Sequence, residues 1–257
     1  MEGLLSGKTG VIFGVANHRS VAWAIAQALS KAGARLAFAY QERVEQYVRQ
    51  LTSTMPDALL LPCDVMDDAQ VATVFQKIGE TFGGLDILVH SLAFAQKQDL
   101  EGRFVDTSRE GWRMALEVSA FSLPQLARAA APLMVKQGGG SILTMTYLGG
   151  ERVIPNYNVM GVAKAALDCC VKYLAADLGP QNIRVNALSA GPMRTLASRA
   201  IADFSAMERH VEERAPLRRN IEQSEVADAA LFLCSPLAKA ISGEVLHVDA
   251  GYNIMGM

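Results

Sequence analysis

The chain has few of the residues that build disulfide-linked or metal-bound proteins. Its 257 residues include only four cysteines, Cys63, Cys169, Cys170 and Cys234. None belongs to a CxxC pair or to a zinc-ligand spacing, and the adjacent Cys169 and Cys170 cannot easily bridge each other. We therefore expect no metal centre and a reduced protein of the cytoplasm.

Long apolar runs and an excess of one charge are also missing. No apolar stretch approaches about 18 residues without a charge, and residues 1–6 contain no basic region followed by an apolar run, so we expect no membrane span and no signal peptide. The net charge is −2. Such a small charge creates no field that would attract polyanions, so the composition gives no support to nucleic-acid binding.

No linker, low-complexity tract or internal repeat interrupts the chain, and strand patterns alternate with helix patterns from end to end. Because 51% of the residues are hydrophobic, the chain can bury one sizeable core. The sequence predicts a single α/β domain over residues 1–257, a Rossmann-type doubly wound sheet of about seven parallel strands. The strand patterns, some with their exit loops, span 8–14, 35–40, 58–65, 85–95, 141–147, 183–192 and 244–252.

A glycine-rich turn separates the first strand from the first helix. Small residues such as Gly14 let the backbone approach a pyrophosphate, whose charge is favoured at a helix N-terminus, although the spacing is not G-x-G-x-x-G. Ser20 precedes Val21 at the predicted start of the helix. It is either an ordinary N-cap serine or a cap that also offers its hydroxyl to a phosphate.

The end of the second strand is the usual place for reading the adenosine ribose of a dinucleotide. Here the chain has Gln41, Glu42 and Arg43. Acidic Glu42 would repel a ribose phosphate and Arg43 would attract one, unless they are solvated residues of the next helix. We favour NADH, with NADPH as the alternative.

Two phenols and one ammonium group lie at the junction of a strand and a long helix. Residues 141–147 read as a buried strand that ends at Tyr147, and Pro155 and Asn156 mark a helix start where a short polar side chain can cap free amides. Tyr157 and Lys164 then share a helix face. Seven residues correspond to about 10 Å along the axis, against about 6 Å for four residues.

This longer interval favours one kind of hydride chemistry. A carbonyl reductase delivers hydride to the carbon that bears the oxygen, so its acid sits close to the nicotinamide. Reduction of a conjugated carbon–carbon double bond separates the hydride-accepting carbon from the oxygen by two further bonds. The phenol must then lie further out, as the spacing of Tyr157 and Lys164 would allow.

Tyr147, Tyr157 and Lys164 together resemble the Tyr-x6-Lys signature of the enoyl-acyl-carrier-protein reductases of type II fatty acid synthesis, a divergent branch of the short-chain dehydrogenase/reductase superfamily. The Gly-x5-Ser-x-Ala of residues 14–22 and the Ser-Leu-Ala of residues 91–93 are similar to that branch as well. The resemblance covers nearly the whole chain. It implies reduction of trans-2-enoyl-acyl-carrier-protein thioesters to saturated thioesters by NADH, with NADPH possible.

The resemblance also implies roles for particular residues. Tyr157 would donate a hydrogen bond to the enolate oxygen, Lys164 would bind the ribose hydroxyls, and Tyr147 would orient the acyl chain. Asp64 would accept from the adenine amine or cap the helix that follows it. The cofactor set is Gly14, Ser20, Val21, Gln41, Asp64, Val65, Ser91, Leu92, Lys164, Met193, Thr195, Leu196 and Ala197. The substrate set is Ala95, Tyr147, Tyr157, Met160, Ala197, Ile201 and Phe204. We expect His90, within an apolar strand, to be a core residue rather than a base.

Residues 194–214 are expected to form a mobile flap over the substrate, with a rigid pair of surface helices as the alternative. Enoyl reductases often place Lys or Arg in this flap to meet the acidic carrier protein, but this chain has Ala202, Ser205 and Ala206 there. The remaining candidates for contacting the carrier are Arg199, Arg209, Arg218 and Arg219.

The resemblance implies a homotetramer that forms through predicted helices at 107–121 and 122–136. Two other functions stay open from the sequence. One is a 3-oxoacyl or hydroxy short-chain dehydrogenase/reductase, and the other is a non-catalytic dinucleotide-binding sensor.

Overall fold

Seven parallel strands form one sheet in the computed structural model, which describes residues 3–55, 57–195 and 204–256. The strands are β1 (Thr9–Phe13), β2 (Arg35–Tyr40), β3 (Leu59–Pro62), β4 (Ile87–His90), β5 (Gly140–Thr146), β6 (Ile183–Ala190) and β7 (Val245–Val248). Their order is β3-β2-β1-β4-β5-β6-β7, and each neighbouring pair is parallel. The predicted fold class is confirmed.

Helices cover both faces of this sheet. They are α1 (Val21–Lys31), α2 (Glu45–Thr52), α3 (Asp68–Phe82), α4 (Lys97–Leu100), α5 (Arg109–Leu116), α6 (Ser122–Lys136), α7 (Asn158–Leu178), α8 (Phe204–Arg214) and α9 (Gln223–Cys234). Helices α1 and α9 contribute to one apolar core, and α3, α6 and α7 contribute to the other. Ile12 points into the first core while Val11 and Phe13 point into the second. Because helices cover both faces, most strand residues are apolar.

The strand order places a ligand crevice at the centre of the sheet. The chain runs from β1 outward to β2 and β3 and then returns to the other side of β1 with β4. The loops that leave the carboxyl ends of β1 and β4 therefore run in opposite directions. Doubly wound sheets bind their ligands in the crevice between two such loops. Gly14 and Ser91 begin these two loops.

Three helical predictions need correction or completion. The predicted helices at 107–121 and 122–136 are α5 and α6, joined by a π-helical segment, Glu117–Phe121. Helix α7 begins at Asn158, later than Pro155 and Asn156 suggested. The predicted polar cap of α7 is wrong: Tyr157 holds the N-cap position, and its side chain makes no capping hydrogen bond. Asn156 and Asn158 have φ angles of 61° and 38°, and this turn directs the Tyr157 ring towards Tyr147.

Of the predicted flap, residues 204–214 form α8. Residues 196–203 lie outside the described residues, so the predictions made for Leu196, Ala197 and Ile201 cannot be placed. Among the residues that are described, no helix combines the length and the apolar character needed to cross a bilayer.

Candidate active site

Strand β5 and helix α7 bring the two phenols into contact. Tyr147 follows β5 and Tyr157 precedes α7, and their ring centroids are 5.1 Å apart with the planes at 71°. This is the edge-to-face arrangement that aromatic pairs prefer. Burial raises the pKa of Tyr157 well above its ordinary range, and Tyr147 adds to the shift. Burial likewise raises the pKa of Tyr147. Both hydroxyls therefore keep their protons at neutral pH and can donate hydrogen bonds.

The Tyr157 hydroxyl is available to a ligand, since within residues 3–55, 57–195 and 204–256 no side chain hydrogen bonds to it. Lys164 lies on the buried side of α7, 5% exposed. Its Nζ donates to the Met145 carbonyl oxygen at 2.7 Å, and an ammonium group has two further hydrogens to donate. Burial lowers the pKa of Lys164 to about 8, against the opposing effect of Asp168. The side chain is therefore still largely charged at neutral pH.

Glycines hold the two phenols together, which the sequence analysis did not anticipate. A 3₁₀ turn, Leu148–Gly150, follows Tyr147 and lies against α7 without side chains between them. A Cβ atom at Gly149 would overlap Cδ1 of the Tyr157 ring, and one at Gly161 would lie 2.8 Å from the Gly149 carbonyl oxygen. The signal in the sequence was the glycine pair that follows Tyr147 and Leu148, together with a glycine inside a helical pattern.

Replacement of Gly161 tests this contact. Alanine is the better helix former by about 1 kcal/mol, so propensity alone predicts that Gly161→Ala stabilises the protein. We expect the opposite, a lower melting temperature and slower turnover, because the new methyl group must push away the 3₁₀ turn under Tyr157. Gly179→Ala is the matched control, since an added Cβ there meets nothing within 4 Å. A gain of stability in both variants would show that the contact between the turn and α7 is not tight.

The loop after β1 is shaped for a close backbone approach. Gly14 has a φ of 104°, and a Cβ there would overlap the Ser91 carbonyl oxygen, so only glycine fits. The Ser20 hydroxyl oxygen accepts from the backbone N–H groups of Ala16 and Asn17, both at 3.0 Å. The prediction that Ser20 caps α1 through its side chain is therefore wrong. Its hydroxyl oxygen accepts hydrogen bonds from the preceding loop and none from the free amides of α1. The hydroxyl hydrogen stays available for a ligand.

The other predicted cofactor residues follow strands at the same edge of the sheet. Asp64 and Val65 follow β3, and Oδ1 of Asp64 accepts from the Met66 N–H at 3.0 Å. Asp67 rather than Asp64 caps α3, accepting from the N–H groups of Ala69 and Gln70. The alternative role of Asp64 as a cap is thus wrong.

Further members of the set lie beside them along this edge. Exposed Gln41 follows β2, half-buried Leu92 follows β4, and half-buried Met193 and Thr195 follow β6. The described members of the predicted cofactor set that follow strands therefore lie along the carboxyl edge of the sheet.

His90 is confirmed as a core residue. The Ser122 hydroxyl donates to the Val118 carbonyl oxygen at 2.7 Å, so it must accept from His90 Nε2 at 2.8 Å. Nδ1 of His90 then accepts from the Thr144 hydroxyl at 2.7 Å. Burial lowers the pKa of His90 to about 3. The imidazole is neutral and both nitrogens are used within the core, so it is no candidate base.

Two further residues of the predicted substrate set, Ala95 and Met160, pack with the phenols. Ala95, Tyr147, Tyr157 and Met160 belong to one apolar cluster. The Tyr147 hydroxyl donates to Sδ of Met207, on α8, at 3.2 Å. Phe204, at the start of α8, is half-buried. The arrangement offers an apolar wall beside the Tyr157 hydroxyl, whose hydrogen no described side chain accepts, and this suits an acyl chain that carries a carbonyl oxygen.

Helix α8 is also tied to the loop after β6. The Arg194 guanidinium contacts the Glu208 carboxylate at 2.8 Å. Next to this ion pair is a cavity of about 570 Å³, lined by residues that include Met193, Ile221 and Gln223. The loop that carries the predicted cofactor residues Met193 and Thr195 is therefore joined to the helix that contacts Tyr147.

Sequence comparison finds a family model and known proteins that match nearly the whole chain. Residues 14–253 match the family model described as Enoyl-(Acyl carrier protein) reductase. The chain is 54% identical over 256 residues to the enoyl-[acyl-carrier-protein] reductase [NADH] FabI of Bacillus cereus, covering 98% of this chain and 99% of that protein. It is 53% identical over 257 residues to the protein of the same name from Synechocystis, with coverage of 98% and 99%.

Solved structures agree with the sequence comparison. The Bacillus cereus enoyl-acyl carrier protein reductase with NADP+ and indole naphthyridinone superimposes with a TM-score of 0.97 at 53% identity, covering 100% of both chains. The reductase from Anaplasma phagocytophilum in complex with NAD gives a TM-score of 0.96 at 47% identity, covering 100% of this chain and 98% of the other.

Proposed function

Because the chain belongs to the enoyl-(acyl carrier protein) reductase family, we propose that it reduces the trans-2 double bond of enoyl-[acyl-carrier-protein] thioesters to the saturated thioester, with NADH as reductant. This reaction completes each round of fatty acid elongation. The observation that carries the proposal is the buried, protonated phenol of Tyr157 on the helix that also holds the cationic Lys164.

The residues of the loop after β1 suit the binding of a dinucleotide. The turn at Gly14 has no room for a side chain, and the Ser20 hydroxyl keeps a hydrogen to donate to a phosphate. In this proposal Gly14, Ser20 and Val21 hold the pyrophosphate with Thr195, and Lys164 donates to the ribose hydroxyls. Gln41, Asp64 and Val65 surround the adenosine, while Ser91, Leu92 and Met193 contact the nicotinamide half together with Leu196 and Ala197. The names of the curated relatives specify NADH as the cofactor. One relative has been solved with NADP+, so NADPH is the second cofactor to test.

The protein groups stabilise the charge that the reaction creates. Bound NADH supplies a hydride to the β-carbon of the enoyl group, and negative charge then develops on the thioester oxygen. Tyr157 donates its hydroxyl hydrogen bond to that oxygen, and a preorganised donor aimed at developing charge is worth about 3 to 4 kcal/mol. Lys164 holds positive charge nearby. Uptake of a proton at the α-carbon completes the saturated thioester.

Tyr147 orients the acyl chain against the apolar wall. Ala95, Met160 and Phe204 line this side of the site, with Ala197 and Ile201 assigned from the sequence. Residues 194–214 act as the flap over the substrate within the single domain of residues 1–257. The hydrogen bond from Tyr147 to Met207 supports a closed position of α8.

The acyl carrier protein is the partner that delivers the thioester. Arg219 is already paired with Glu225 at 2.6 Å, so exposed Arg209 and Arg218 are the better candidates for its acidic surface. We also propose a homotetramer, since large apolar side chains stay exposed at Trp112, Phe121 and Tyr173. Covering these side chains at a contact between subunits would remove apolar surface from water. The cytoplasmic location stays a prediction from the sequence.

A steady-state assay tests the function. The enzyme is expected to oxidise NADH with crotonyl thioester, more slowly with NADPH, and to leave a 3-oxoacyl thioester unreduced. The reason is the outward position of the acid, which suits an oxygen that lies two bonds further from the hydride-accepting carbon than it does in the reduction of a carbonyl. Reduction of the 3-oxoacyl thioester instead would favour an ordinary short-chain reductase, and tight NADH binding without turnover of any thioester would favour a sensor.

A further inference from the structure

Helix α7 buries two charged residues one turn apart. Its buried face consists of Val159, Met160, Ala163, Lys164, Leu167, Asp168 and Val171. Five of these seven positions are apolar, as expected for a helix that packs on a sheet. A charge on such a face costs free energy unless it is paired or used. The role proposed above accounts for Lys164 but not for Asp168, which is only 9% exposed.

The backbone closes tightly over the Asp168 carboxylate. A Cβ at Gly150 would lie 2.9 Å from both Asp168 Oδ2 and the Ala165 backbone nitrogen, so the 3₁₀ turn Leu148–Gly150 holds the carboxylate against α7. Among the described residues, Oδ1 of Asp168 is buried without a hydrogen-bond partner. A structural aspartate at such a site would normally satisfy both oxygens. The turn therefore encloses this carboxylate and leaves one of its oxygens without a partner among the described residues.

That charge acts on Lys164. Burial lowers the pKa of Lys164 to about 8, and the Asp168 carboxylate is the group that acts against this effect. Burial raises the pKa of Asp168, while the Thr146 hydroxyl and the Lys164 and Lys172 ammonium groups lower it. The interaction between Lys164 and Asp168 thus favours the charged form of each.

The other titratable groups around this pair do not replace Asp168. His90, from β4, is neutral, and Tyr147 and Tyr157 keep their protons. Glu151 follows the 3₁₀ turn and is negative, but its carboxylate contacts His247 Nε2 at 2.9 Å and is 44% exposed. Within the part of the chain that the structure describes, Asp168 is therefore the carboxylate that shares the buried face of α7 with Lys164, one turn away.

We propose that Asp168 is a positioning residue for the reduction: its buried carboxylate keeps the Lys164 ammonium charged, and thereby able to bind the cofactor ribose, as the solution becomes alkaline. The proposal rests on the proposed function, because Lys164 must serve the cofactor for its charge to matter.

The test is the pH dependence of kcat/KM for crotonyl thioester reduction by Asp168→Asn. Asparagine has nearly the same shape but no charge, so Lys164 should lose its proton at lower pH. The alkaline limit of activity is then expected to move down by about one pH unit. Asp177→Asn is the matched control, since Asp177 is an exposed carboxylate on the same helix. It should leave the limit unchanged. An unshifted limit in Asp168→Asn overturns the proposal.

A second measurement separates charge from structure. Because an arginine does not deprotonate in this range, adding Asp168→Asn to Lys164→Arg should not move the pH dependence of NADH binding. A shift in that background would mean that Asp168 acts through the fold and not through the ammonium group, which would also overturn the proposal. If Asp168→Asn does not fold, Asp168→Ala replaces it with the same expected shift.

The two proposals fail in different ways. A wild-type enzyme that consumes no NADH with any enoyl thioester refutes the proposed function, whereas normal wild-type turnover with unshifted Asp168 variants refutes this one.

Discussion

Tyr157→Phe is expected to slow the reduction of crotonyl thioester by about 100- to 1,000-fold at saturating substrate. The substitution removes one hydroxyl that the protein keeps protonated by burial, and it leaves the ring that packs at 5.1 Å against Tyr147. Because the lost hydrogen bond strengthens as the enolate forms, kcat should fall more than the affinity for substrate. NADH affinity and the melting temperature should stay close to those of the wild type.

The neighbouring tyrosine supplies the control for this experiment. Tyr147→Phe removes a hydroxyl that donates to Met207 Sδ, so it should mainly raise KM by loosening α8 over the acyl chain. Equal losses of kcat in the two variants would mean that the phenols act as one unit. A wild-type kcat in Tyr157→Phe would remove Tyr157 from the chemistry, and another donor would have to be sought at the thioester oxygen.

The sheet could be predicted because its determinants are local. Each strand is a short apolar run, and a regular alternation with helices leaves few arrangements other than a parallel, doubly wound sheet. The loops that carry Gly14 and Ser91 follow from that topology, because parallel strands present their carboxyl ends at one edge. The described members of the predicted cofactor set lie along this edge for the same reason.

The errors arose where several residues close in the chain compete for the same local hydrogen bonds or turn positions. Ser20 stands where an N-cap serine would stand, but the fold of the preceding loop takes its hydroxyl oxygen. Asp64 was a candidate cap, yet Asp67 is nearer to the free amides of α3. The start of α7 depends on two asparagines with positive φ angles, and this turn is what sets the Tyr157 ring against Tyr147.

Residues that position the site were missed because their partners are not sequence neighbours. Gly149 is required by the Tyr157 ring, and Gly161 is required by the Gly149 carbonyl oxygen. Asp168 lies four residues after Lys164, a spacing that on most helices means a solvated ion pair. Only the burial of both side chains shows that these two residues lie on the inner face of α7.

Lys164→Ala is expected to weaken NADH binding by about 10- to 100-fold, because hydrogen bonds from a charged donor are worth about 1.5 to 3 kcal/mol. In the wild type the ammonium has one hydrogen bond to the Met145 carbonyl oxygen and two hydrogens left for the ribose. The measurement is the rise in melting temperature that NADH causes. Saturation at about 100 times Kd stabilises a protein by about 2.7 kcal/mol, and at the same NADH concentration the variant should lose about half of this gain or more.

Two comparisons make this result specific to the ammonium group. Lys164→Met keeps the apolar stem and avoids the cavity that alanine leaves, so it should lose NADH binding as fully while preserving more of the stability without ligand. Lys172→Ala removes an exposed lysine from the same helix and should bind NADH normally. If Lys164→Met binds NADH as tightly as the wild type, the ammonium does not contact the ribose. The buried pair of Lys164 and Asp168 would then require another explanation.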